Sequence, residues 1–184
     1  MQSRDELNTT DAQHDTHEWS VETWFNHTGD LQLADLRGRV VAVEAFQMLC
    51  PGCVLHGLPQ AQRIRDTFSN DDVVVIGLHT VFEHHAAMQA HALEAFLHEY
   101  RIGFPVGVDL PTANQIPATM SRFQLQGTPS LLLFDRYGRL RANHFGTVAD
   151  MTVGAEISTL LAEPREEEPR RTDGTVNRNK GTQT

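Results

Sequence analysis

From Arg39 to Phe46 almost every position is apolar, and from Val73 to His79 the same pattern returns. Short continuous runs rich in β-branched residues predict strands buried on both faces. After the first run the period changes. Val54, Leu58, Ala61, Ile64 and Phe68 recur at steps of three and four, which predicts a helix, with Pro59 in its interior predicting a kink. A second helical pattern spans His84 to Tyr100, followed by a short extended segment, Phe104 to Asp109, and a short helix from Pro117 to Phe123. Leu131–Phe134 and Arg139–Phe145 read as strands joined through the turn sequence Asp135-Arg136-Tyr137-Gly138. Asp150 is expected to cap a last helix that carries Met151, Val153, Ile157, Leu160 and Leu161. Near the start, Trp24-Phe25 and Leu31-Gln32-Leu33 flank Asn26-His27-Thr28-Gly29-Asp30, a pattern that predicts a β-hairpin. Strands alternating with helices imply an α/β fold with a mixed central sheet flanked by helices on both faces.

The apolar periodicity stops at both ends. Residues 1–17 are polar, and residues 163–184 open on Glu163-Pro164-Arg165-Glu166-Glu167-Glu168-Pro169, so both read as disordered tails around one domain, residues 18–162. The 184-residue chain carries a net charge of −9, which disfavours a nucleic-acid or anionic-membrane partner. Lys180, in the tail, is its one lysine, so no lysine is expected to act as base or Schiff-base amine within the domain. No stretch reaches the length of a membrane span, and the start lacks an apolar signal segment. The expected location is therefore cytoplasmic, where thiols are kept largely reduced.

The chemistry centres on Cys50-Pro51-Gly52-Cys53, the two cysteines of the chain, placed where the first buried strand gives way to the first helix. Unpaired N–H groups at a helix N-terminus favour a thiolate, which makes Cys50 the candidate nucleophile. Pro51 has no N–H to leave unpaired and suits the first turn. Cys53, one turn on, is the candidate resolving thiol. The alternative is half of a metal site, which needs two further ligands, and there is no second cysteine pair. His56 and His79 are the histidines that could complete a Cys-Cys-His site for copper or zinc. His84, His91 and His98 recur every seven residues on one helical face, too far apart for one ion.

Together these residues resemble the thioredoxin fold and, within it, the TlpA/ResA-type redoxins. The likeness rests on Leu33-Ala34-Asp35-Leu36-Arg37-Gly38-Arg39-Val40, on the strand–CxxC–helix order, on Phe104-Pro105-Val106 with Asp109, and on Gly127-Thr128-Pro129 followed by Phe134-Asp135 and Gly138. It implies a thioredoxin-like domain with an inserted strand-helix segment. It also implies that Pro129 is a cis-proline facing the dithiol, with the adjacent Thr128 backbone offered to an extended substrate. Glu44, six residues before Cys50, falls where thioredoxins carry a buried acid that exchanges a proton with the resolving cysteine. Strand parity leaves open which face Glu44 occupies. Relatives usually carry a tryptophan before the first cysteine, where this chain has Leu49.

The resulting expectation is a thiol-disulfide oxidoreductase with Cys50, Cys53 and Glu44 as its catalytic residues. Leu49, Pro51, Thr128 and Pro129 would contact a disulfide-containing or dithiol protein, and an upstream reductant or oxidant would reset the pair. No cofactor and no metal are assigned. A peroxiredoxin-like thiol peroxidase is the alternative enzyme, but Gln47 stands where that branch carries threonine, three residues before its peroxidatic cysteine.

Overall fold

The computed structural model describes residues 18–164. The expected tails at 1–17 and beyond 164 lie outside the described residues. Six strands form one sheet in the order β1-β4-β3-β2-β5-β6: β1 Val21–Phe25, β2 Val40–Phe46, β3 Val73–His79, β4 Val106–Asp109, β5 Ser130–Phe134 and β6 Leu140–Phe145. β2, β3 and β4 run parallel, while β5, β6 and β1 run antiparallel to their neighbours. The α-helices are α1 Leu58–Thr67, α2 Ala90–Glu99, α3 Ala118–Arg122 and α4 Asp150–Ala162.

The two central strands are buried at every position, as their uninterrupted apolar runs require. Alternation along β2 divides the core. Val40, Ala42 and Phe46 pack with Leu58, Ile64, Leu93 and Ile157 under α1, α2 and α4, whereas Val41, Val43 and Ala45 pack with Leu33, Leu36, Met120 and Phe123 on the other face. Among the described residues no helix is long and apolar enough to cross a membrane.

Four local expectations are corrected. The N-terminal β-hairpin is absent: β1 pairs with β4, with Phe25 opposite Val106. Residues 31–33 form no strand, because Leu33–Leu36 is a 3-10 turn that sends Leu33 and Leu36 into the core. The helix expected over His84–Tyr100 begins only at Ala90. His84 is left-handed (φ 50°) and Gln89 extended, so His84 leaves the face that His91 and His98 share. Pro59 produces an irregular turn. It has no N–H for the Leu55 carbonyl, and the chain ahead of it widens so that Leu58 N–H meets Cys53 O, making Cys53–Gly57 a π turn. Finally, Asp150 does not cap α4. It is the first helical residue, after Ala149, and its carboxylate reaches across to Gln60 and Arg63 of α1.

Candidate active site

β2 ends at Phe46, and the Gln47–Leu49 turn delivers Cys50 to the start of the helix, with Val54 N–H bonded to Cys50 O at 3.1 Å. Cys53 N–H, one of the orphan donors of the first turn, points at Cys50 Sγ at 3.2 Å. That contact places a backbone donor against the sulfur at the start of the helix. Cys50 Sγ also lies 3.4 Å from Thr128 O, to which the thiol donates. Cys50 is half-buried and Cys53 buried, both as free thiols. Of the two sulfurs, Cys50 is the more accessible.

The Thr128–Pro129 bond is cis, as the resemblance implied. Pro129 is buried, however, so it forms the floor of the site and not part of an exposed docking surface. A methyl group at Gly52 would stand 3.1 Å from Pro129 Cδ, so the missing side chain lets the CxxC turn settle on the proline. Leu49, by contrast, is 57% exposed beside Cys50, and Pro51 is exposed with it. Thr128 is half-buried.

Glu44 settles the parity question. It lies on the Phe46 face of the sheet, toward α1, and is 1% exposed, with Oε1 unpaired among the described residues. Burial drives its carboxyl group well above the usual range, and negative charge on Cys50 pushes it the same way. Cys53 is pushed up to about 12, first by burial and then by its contact with Cys50, against hydrogen bonds from the Gln47 backbone and the Thr128 hydroxyl. Both groups therefore hold protons tightly, and each becomes a reactive anion only by handing a proton on.

Two contributors escaped the sequence reading. Gly57 presses its backbone on the Glu44 carboxyl: an added methyl would overlap Oε1 and lie 3.0 Å from Pro129 Cβ. A glycine inside a helical pattern, two residues ahead of a proline, was the available signal. Gln47, buried at 1% exposure, spans the site. Its Oε1 accepts from Phe82 N–H at 3.4 Å, and its Nε2 is 3.5 Å from Thr128 Oγ1.

The histidines do not gather around the dithiol. His56 is exposed, and His79 is buried against Phe46 with both ring nitrogens unpaired among the described residues. Among the described residues no three His, Cys, Asp or Glu side chains are grouped to hold a metal ion, so the Cys-Cys-His alternative is not assembled.

No protein-family model matches the chain, and no curated protein is similar to it. Solved structures are. A thioredoxin-like superfamily protein is 60% identical, with a TM-score of 0.79 over 80% of this chain and 96% of its own. A thiol-disulfide isomerase from Corynebacterium glutamicum is 52% identical, with a TM-score of 0.78 over 80% and 96%. StoA from Bacillus subtilis, 18% identical with a TM-score of 0.56 over 75% of this chain and 98% of its own, shares the fold.

Proposed function

The chain belongs to the thioredoxin-like superfamily and is a thiol-disulfide oxidoreductase, and from that premise we propose that Cys50 and Cys53 are its TlpA/ResA-like exchange centre, with Glu44 as acid and base. One observation carries the reading: the accessible Cys50 sulfur receives the Cys53 N–H at 3.2 Å, while Cys53 and Glu44 are closed off behind it. In the reductive direction the Cys50 thiolate attacks a partner disulfide, and one partner sulfur leaves as its S–S bond breaks. Cys53 then passes its proton to Glu44, attacks Cys50 Sγ and releases the second partner sulfur. The partner gains two electrons, and the pair becomes the Cys50–Cys53 disulfide. In the oxidative direction the steps run backward, and protonated Glu44 serves as acid to the departing Cys53 sulfur.

Disulfide-bearing or dithiol proteins are the proposed partners, docking on exposed Leu49 and the Thr128 backbone, and a separate reductant or oxidant resets the pair. The 52% identity to a thiol-disulfide isomerase supports this substrate class. A cytoplasmic setting fits reductant work, because thiols are held reduced there. Cys53→Ser tests the mechanism. It should accumulate mixed disulfides through Cys50 that reductant releases; a variant that captures none while still turning over disulfides removes Cys53 from the resolving role.

A further inference from the structure

Glu44 is buried, yet a cavity of about 50 Å³, lined also by Gly57 and Pro129, touches it. Its lining runs from Glu44 past Gln60 and Thr147 to the exposed side chains of His56, Arg63 and Asp150. That volume accommodates at least one water molecule. Gln60, itself buried, donates from one amide nitrogen to Val148 O at 2.8 Å and to Asp150 Oδ1 at 2.7 Å, tying α1 to the turn that begins α4. Asp150 is further held by Arg63 through Nε at 2.8 Å and Nη2 at 3.0 Å.

We propose that this cavity is the route by which the Glu44 carboxyl group exchanges its proton with solvent, and that Gln60 is the positioning residue that keeps it open. The proposal rests on the reading of Glu44 as acid and base. Glu44 holds its own proton tightly, so it must release that proton to solvent before it can accept the one from Cys53, and the accepted proton goes back to the Cys53 sulfur when the pair is reset. The reacting sulfurs offer no exit once a protein partner covers Cys50, whereas the cavity leads to exposed side chains between α1 and the turn into α4. Glu44 lines this cavity, and its Oε1 has no hydrogen-bond partner among the described residues. The mouth carries a fixed ion pair, Asp150 with Arg63, and His56 lines the cavity beside them. Asp150 itself is a poor acceptor, because its hydrogen bonds from Arg63 and then Gln60 hold it ionised.

Infrared spectroscopy of the reduced full-length protein, with Glu44→Gln to assign the carboxyl band, reads this exchange directly on transfer to D₂O. In the unaltered protein the band should shift within mixing. Gln60→Leu should slow the shift by about tenfold or more, comparable to the loss of a placed proton-transfer group. Thr147→Leu, which narrows the same cavity from an exposed position, should slow it too and covers the case in which Gln60→Leu misfolds. Exchange as fast as in the unaltered protein in both variants overturns the proposal. Kinetics of mixed-disulfide resolution separate the two readings. Unchanged resolution in Glu44→Gln sinks the acid–base role; slowing there, with fast carboxyl exchange in the cavity variants, leaves that role standing and sinks the route. Gln60→Leu should also slow resolution in the unaltered background and not in Glu44→Gln, while equal slowing in both assigns Gln60 a merely structural part.

Discussion

Gly57 rests on Glu44. The backbone at Gly57 is ordinary right-handed helix (φ −60°, ψ −58°), so conformation does not demand glycine there; space does. An added methyl would overlap Glu44 Oε1 and crowd Pro129 Cβ. In an exposed helix Gly→Ala gains about 1 kcal/mol, whereas forcing atoms into a filled core costs about 1–3 kcal/mol. The clash here involves the end of the Glu44 side chain, confined by burial, and the rigid ring of Pro129, so the cost wins. Gly57→Ala should lower unfolding free energy by about 1–2 kcal/mol and slow mixed-disulfide resolution, both readable by denaturant titration and rapid-quench trapping. A stabilised variant with unaltered kinetics would show that Glu44 swings away freely.

The raised carboxyl group of Glu44 also sets a pH dependence of stability. Folding tightens its hold on the proton, so the folded state binds more protons than the unfolded one once pH exceeds the unfolded value near 4.5. Stability is therefore full below about pH 4.5 and falls as pH rises, by up to ~1.4 kcal/mol per unit, until the folded group ionises. Subtracting the curve of Glu44→Gln isolates this contribution. The difference should be flat in acid and decline toward neutrality; a difference rising with pH would mean that Glu44 is paired as an anion.

Much of this architecture was legible because the signals are local. β2 and β3 announce themselves as unbroken apolar runs, and Cys50 sits where the strand period gives way to the helical one. The errors share a cause, which is partners distant in sequence. β1 looked like half of a hairpin because Asn26–Asp30 is a good turn, yet its partner is β4, about eighty residues away. Asp150 looked like a cap until its contacts with Gln60 and Arg63, on another helix, were visible. Helical spacing continued through His84–Met88 with no glycine or proline to interrupt it, although the backbone there turns left-handed at His84. The placement of Glu44 followed from the resemblance, but its cavity and the contact with Gly57 arise from packing between α1, β5 and the turn into α4.

Leu49 stands where a tryptophan is usual, and its exposure makes it the apolar group nearest the reactive sulfur in sequence. A protein partner that buries it gains about 1.5–3 kcal/mol at most from a leucine side chain. Leu49→Ser should therefore raise KM for a protein disulfide by about tenfold while leaving kcat for a small aromatic disulfide within about twofold, since the loss falls on docking and not on Cys50. Equal losses on both substrates would instead implicate the geometry of the Cys50 turn.

His79 is the buried group for which the exchange reaction has no use. It ends β3 opposite Phe46, 1% exposed, its ring 5.3 Å from that phenyl ring and both nitrogens without a partner among the described residues. Burial lowers it from 6.5 to about 4, so the folded protein keeps it neutral while the unfolded chain takes up a proton. Unfolded molecules then bind more protons between those values, and stability drops as pH falls from about 6.5 to about 4, with no further loss below. The full shift corresponds to about 3 kcal/mol. An unpaired buried polar ring also costs about 1–3 kcal/mol at any pH. His79→Leu, close in volume, removes both penalties, so it should be more stable than the unaltered protein at pH 7 and more so at pH 4.5. Denaturant midpoints at the two pH values check this. An advantage that does not grow in acid would mean that the imidazole finds a proton partner in the folded state.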